Sequence, residues 1–283
     1  MADRKNVKAA AGLQCRHSPA RQALIDKIRS GEMGEIPLIR ANRLGGGGWM
    51  GSQGDKSNNL MDQLRFGRIH LFWIGSGHMV DYLIHQIDEC CWIKGAWPVS
   101  VVGMGGRVPN STDHGQNIDV YSMEYTFADG AKAFCGFRRI RKTRSEFATF
   151  IHGTKCAAQF SGQTHRATVH MFKDQRIEQG NISWTPTRDR YSPWQYEWNE
   201  FIHSIRTDRK HNEIQRAVYS DLATLMGRAA CHTGQEVTWD QIMNSSFHFC
   251  DYLDDLDYDS PAPVQADENG QFEVPVPGQW KEI

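Results

Sequence analysis

The 283 residues contain no C-x-x-C pair. The seven cysteines (Cys15, Cys90, Cys91, Cys135, Cys156, Cys231 and Cys250) are odd in number and irregular in spacing. That argues against a disulfide framework and against a structural zinc site, and it predicts a reducing cytoplasmic setting. No apolar run approaches the roughly 18 residues needed to cross a bilayer. The opening "MADRKNVKAAAG" has charge but no apolar core, so no secretory signal is read there. Net charge is −1, which removes the electrostatic case for nucleic acid or an anionic membrane as partner. Internal repeats and low-complexity tracts are also missing.

What is present suits a globular chain with a real core: 40% apolar residues and nine tryptophans. "VKAAAGLQ" (7–14) reads as a short buried strand. "SPARQALIDKIRSGEMG" reads as a helix capped by Ser18, opened by Pro19 and closed by Gly31 and Gly34. "EIPLIRANRL" is a strand candidate, although Pro37 weakens it. Helical periodicity runs through "MDQLRFGRIHLFWIG" and "GHMVDYLIHQIDECCWIKG". From Val99 the pattern changes to about six short segments rich in β-branched and aromatic residues. They include an Asp-Gly hairpin signal at Asp129-Gly130. Helices return at Pro193, and the last is closed by Gly234. The order of helices, sheet and helices predicts an α+β fold. Its expected form is an open, mainly antiparallel sheet of about six or more strands, with helices on one face. The tail from Asp254 is acidic, then proline-rich, and reads as an extended surface segment.

Two glycine runs invite a nucleotide reading. "GGGGW" (45–49) has no helix start or lysine behind it, and "GMGGRV" (103–108) puts Val108 where a third glycine is needed. Both fail the dinucleotide and P-loop patterns, and both read better as loops that let backbone approach a substrate.

The chemistry concentrates in "GSGHMVDYLIHQIDECCW" (75–92). On a helix, His78, Asp81, His85 and Asp88 fall within about 80° of arc. Three readings fit: a hydrated face, an acid/base pair of Asp81 with His85, or a divalent-metal site. In the second reading the carboxylate raises the imidazole pKa toward working pH and fixes its tautomer. The third lacks an H-E-x-x-H or comparable tight motif. A second polar cluster, Gln14, Arg16 and His17, sits where a strand gives way to a helix. Arg65, Arg107, His114 and Arg138 are further cationic candidates near element ends.

Taken in order, "GLQCRHSPA…IRSGEMGEI", "GGGGW", "DQLR", Asp81-x-x-x-His85-x-x-Asp88, "VGMGGRV", "IHGTKCAAQFSG" and "EVTWDQIMNS" resemble the Gfo/Idh/MocA family. These are the glucose–fructose oxidoreductase and inositol dehydrogenase relatives. The likeness runs from about residue 7 to the end. It implies an NAD- or NADP-dependent oxidoreductase acting on a sugar or cyclitol hydroxyl, with its nucleotide on an N-terminal Rossmann domain. It also implies a C-terminal α+β domain whose open sheet makes a homo-oligomer. By the same resemblance, His85 is the acid/base and Asp81 its partner. Arg16, His17, Trp49, Arg65, Asp88 and Arg138 serve the sugar pocket, Gln14 and Arg16 lie near the cofactor, and no metal is expected.

The chain departs from the family in having no dinucleotide fingerprint that opens a helix and no E-K-P motif. Residues 1–17 are therefore expected to be a remnant of the last Rossmann strand and linker. Residues 18–253 are then the substrate and oligomerisation domain, and 254–283 the tail. Such a chain is not expected to transfer hydride alone, and a separate Rossmann-domain chain is a conceivable partner. Two other readings stand beside this one: a cofactor-independent or metal-dependent lyase or epimerase on keto-sugars, and a non-catalytic scaffold subunit.

Overall fold

Alternation of apolar and polar residues along short β-rich segments builds one sheet, which carries everything else. The computed structural model describes residues 2–45, 58–109, 111–161 and 167–283. In chain order the strands are β1 (Leu38–Gly45), β2 (Ser100–Gly106), β3 (Val120–Thr126), β4 (Lys132–Arg139), β5 (Glu146–His152), β6 (Ala157–Ser161), β7 (His170–Phe172), β8 (Ile182–Trp184) and β9 (Val237–Thr238). Among the described residues they form a single nine-stranded sheet in the order β8-β7-β6-β5-β1-β4-β3-β2-β9. Only β1 and β4 pair in parallel; the other neighbours are antiparallel. The expected α+β class and open, mainly antiparallel sheet are thus observed, with more strands than the six legible ones.

The helices are α1 (Pro19–Arg29), α2 (Leu60–Phe66), α3 (Gly77–Lys94), α4 (Pro193–Arg206), α5 (Ile214–Thr233) and α6 (Trp239–Asn244). Ser18 caps α1 by accepting the Arg21 N–H, with Pro19 in the first turn. Helices α3 and α5 end on Gly95 and Gly234, each with positive φ, as left-handed C-caps require. Both lie against the inward sheet face, over Ile39, Val101, Tyr121, Met123, Tyr125, Ala133 and Phe137. Close approach of α5 explains the "GMGG" run. Gly103 and Gly105 are in β2, not in a loop, and a Cβ on Gly103 would lie 2.7 Å from Cys231 Sγ. Gly227 of α5 is the reciprocal case, since its Cβ would collide with the Tyr125 hydroxyl.

Two other local expectations change. "VKAAAGLQ" is not a strand. It runs as irregular chain with a single bridge, Ala9 to Asn212, and only Leu13 and Gln14 of it are buried. Its backbone pairs with the segment between α4 and α5 through Ala9 N–H to His211 O (2.9 Å) and Glu213 N–H to Ala9 O (3.1 Å). "MDQLRFGRIHLFWIG" is helical only to Phe66. Gly67 ends the helix, and turns follow to Ser76. All seven cysteines are free, and no described helix is long and apolar enough to cross a membrane.

Three buried charge networks tie the elements together. Arg21 Nε donates to Glu89 Oε1 (3.0 Å), and Glu89 Oε2 accepts from Thr149 Oγ1 (2.7 Å), which joins α1, α3 and β5. The extended tail ends in a second network. Glu282 accepts from Arg228 Nε (2.6 Å), and its other oxygen lies 2.7 Å from His232 Nδ1, inside the protein. Burial pushes the Glu282 carboxyl up, but Arg228 and His232 outweigh it and bring the pKa down to about 2. The third is Asp88. Its carboxylate, 1% exposed, takes two bonds from Arg16 (Nε and Nη2, both 2.8 Å) and one from Ser220 Oγ (2.6 Å).

Removing one partner of such a network leaves the others desolvated and unpaired. Asp88→Ala is therefore expected to cost about 3 to 5 kcal/mol in chemical denaturation. A loss below about 1 kcal/mol, the range of a surface pair, would contradict this placement.

Candidate functional site

A cleft of about 500 Å³ opens where the 11–13 segment, α3 and α5 meet. Asp81, Ile84 and His85 of α3 form one wall, Ala217 and Asp221 of α5 another, and Ala11, Gly12 and Leu13 a third; Arg68 and Gly75–Gly77 close the end. The sequence-predicted pair thus shares one cleft, but no hydrogen bond joins its members among the described residues. Asp81 is exposed and lies 3.5 Å from Arg68 Nη1. His85 is mostly covered, and its Nδ1 is buried with no partner among the described residues.

The expected upward pull of a carboxylate on His85 is not what the surroundings produce. Burial, then the Arg43 guanidinium, push its pKa down to about 4; Asp88 opposes them and Arg21 adds to them. His85 is therefore a neutral imidazole through most of the pH range. Asp221 belongs to the same cleft, and burial raises its carboxyl despite Arg228. Sequence reading missed Asp221 and Arg68. The only signal for Asp221 was one acid in the otherwise uncharged stretch "SDLATLMG", which cannot say what faces it.

The helix quartet is split three ways. At 1.5 Å per residue, His78 and Asp88 are about 15 Å apart along α3, so one face passes through three environments. Asp88 is consumed by Arg16 and Ser220 beneath the cleft. His78 is buried with His70 and Asp113, and Arg139 Nη1 lies 2.7 Å from its Nε2. Burial drives the His78 pKa down to about 3. Asp113 goes to about 2, because His70, His78 and Arg107 outweigh its burial.

The remaining predicted residues are scattered. Arg16 is held by Asp88 and stacks over Trp92 (5.3 Å). Gln14 is buried, with Oε1 unpartnered among the described residues. His17 is clamped between Glu200 Oε2 (2.7 Å, Nδ1) and Glu213 Oε1 (3.0 Å, Nε2). Burial lowers the His17 pKa, but those two carboxylates outweigh it and raise it. Arg65 is exposed on α2. Arg138 is on the sheet face away from the helices and reaches the Arg144 carbonyl. Trp49 and most of "GGGGW" lie outside the described residues. The first described helix after that run, α2, opens at Leu60 on an Asn59 cap.

The fold matches solved structures of sugar and cyclitol oxidoreductases. Aldose–aldose oxidoreductase from Caulobacter crescentus, complexed with glycerol, aligns at TM-score 0.63 and 14% identity, over 83% of this chain and 65% of that one. Scyllo-inositol dehydrogenase from Lactobacillus casei, with bound NAD(H) and scyllo-inositol, aligns at 0.57 and 18%, over 84% and 66%. Myo-inositol 2-dehydrogenase from Lactobacillus plantarum aligns at 0.55 and 16%, over 82% and 65%. This chain therefore spans just under two thirds of these three proteins, and at such identities the likeness is one of fold. No curated protein matches in sequence. Residues 22–159 match the family model of the GFO/IDH/MocA C-terminal domain. They include most of α1, β1, α3, most of the sheet and both Asp81 and His85, so the resemblance drawn from the ordered motifs holds over this stretch, which matches a GFO/IDH/MocA C-terminal domain.

Proposed function

We propose that the cleft at Asp81 and His85 is the substrate-binding and proton-transfer half of an NAD(P)-dependent oxidoreductase acting on a sugar or cyclitol hydroxyl. The observation that carries this reading is the pairing of a neutral, partly covered imidazole with an exposed carboxylate on one helix, at the mouth of a cleft of about 500 Å³. Polyols need several hydrogen-bonding groups at once. Asp81, Asp221, Arg68 and the backbone of 11–13 offer them from three directions. His85 accepts the hydroxyl proton, and Asp81 orients the polyol by accepting from its other hydroxyls. The hydride acceptor is a nicotinamide by family resemblance. A base with a pKa of about 4 is available at neutral pH and is lost only as pH falls through that value.

NAD+ or NADP+ reduction with a panel of cyclitols and aldoses tests this, with the chain alone and with a family nucleotide-binding domain added. His85→Gln is expected to lower turnover at least about 100-fold, and the acid limb of the wild-type profile should fall below pH 5. Full activity in His85→Gln, or an acid limb near the ordinary histidine value, would assign the base elsewhere.

The same proposal makes the open sheet face a contact between copies of the chain. Val102, Glu124, Phe134, Arg40 and Phe150 form one cross-strand row there, and Met104 beside it is 73% exposed. Exposed apolar side chains clustered on a sheet face are costly in water and favour burial by association. Light scattering after size exclusion should give a multimer. Met104→Glu combined with Phe134→Glu should reduce it to a smaller species. An unchanged mass would contradict this interface.

A further inference from the structure

A second cluster of metal-binding groups lies outside the cleft, and its donors come from three separate elements. His17 is in the 3-10 turn Gln14–His17, Glu197 on α4, and Glu213 at the start of α5. One donor atom from each lies within 4.8 Å of the other two.

Three features separate this cluster from a chance group of acids. Glu197 is only 7% exposed, and its Oε1 is buried without a hydrogen-bond partner among the described residues. A buried carboxylate oxygen in that state needs a proton or a cation. The His17 Nδ1–H donates to Glu200 (2.7 Å), which leaves Nε2 as the inward donor. A carboxylate behind a ligating imidazole is the usual support that fixes its tautomer. Charge is also unbalanced: Glu200 and Glu213 both contact His17 beside Glu197, and the Arg216 guanidinium, 2.6 Å from Glu213 Oε1, is shared with Asp88 3.8 Å away.

We propose that His17 Nε2, Glu197 and Glu213 bind one divalent transition-metal ion, Zn²⁺ or Mn²⁺. One nitrogen and two carboxylate oxygens suit borderline ions of this kind and leave coordination positions for water. Tetrahedral ligands about 2.1 Å from an ion stand about 3.4 Å apart. The present Nε2–Oε1 separation of 3.0 Å must then open by only a few tenths of an ångström. Binding displaces any proton on His17, so affinity rises with pH. The ion would clip α4 to the turn that carries Arg16, and so to the floor of the cleft. No tight motif marks the site in sequence, because His17 lies far from both glutamates along the chain. This inference stands independently of the proposed oxidoreductase activity.

Calorimetry on the chelator-treated chain, titrated with ZnCl₂ and MnCl₂, tests it. The expected result is one site per chain, with a thermal midpoint raised by at least about 2 °C. Glu197→Gln and His17→Ala should each weaken binding at least about tenfold. Asp113→Asn, in the His70/His78 cluster, should leave binding unchanged. Circular dichroism of the folded Glu197→Gln chain separates loss of a ligand from loss of the fold. No saturable binding of either ion would overturn the proposal. So would binding that survives Glu197→Gln or disappears in Asp113→Asn.

Discussion

Asp88 takes two bonds from Arg16 and one from Ser220, with Arg216 3.8 Å away, and almost none of it reaches solvent. The carboxylate must be buried there, and burial is costly unless every lone pair is used. Satisfying it forces the 14–17 turn, α3 and α5 to meet at one point. The three walls of the cleft are continuations of those same segments. His85 lies one turn before Asp88, Ala217 and Asp221 flank Ser220, and Ala11–Leu13 lead into Arg16. The cleft is therefore positioned by a buried charge that does not itself line it.

The sheet supplies the rigid platform beneath. Helix α5 can approach β2 and β3 because Gly103, Gly105 and Gly227 leave room, and α3 crosses β1, β4 and β5. Arg21 and Glu89 fix the far side of α3 with no exposure to solvent. The tail adds a latch, because Arg228 bonds both Glu282 and the Ser76 carbonyl at the start of α3. Segments far apart in sequence thus converge on the helix that bears the cleft.

Much of this was legible in the sequence. Ser18-Pro19 and Gly234 are local signals with local physical causes, and each marks a helix end in the structure. Strand alternation after Val99 gave the sheet and its class. The spacing of Asp81 and His85 placed both on one helix wall. What was not legible depends on partners distant in sequence. Nothing near Arg16 says that it faces Asp88, and nothing near His17 says that Glu200 and Glu213 hold it. His78, Asp81, His85 and Asp88 looked equivalent by angle, yet α3 carries them past a buried His–Asp cluster, an open cleft and a sealed ion pair. The pKa of His85 was misjudged for the same reason. Its neighbour in sequence is a carboxylate, but burial, and after it Arg43, decides the shift. The glycines of "GMGG" looked like a loop because a close helix leaves the same local mark as a flexible turn.

Hydrogen–deuterium exchange on the full chain, with and without myo-inositol at tens of millimolar, tests the central claim most directly. If the cleft held together by Asp88 is the polyol site, protection should concentrate in 68–85 and 217–221 and disappear in Asp81→Asn. Protection confined to 108–119 and 139–141, beside His70 and His78, would contradict it, as would no protection at all.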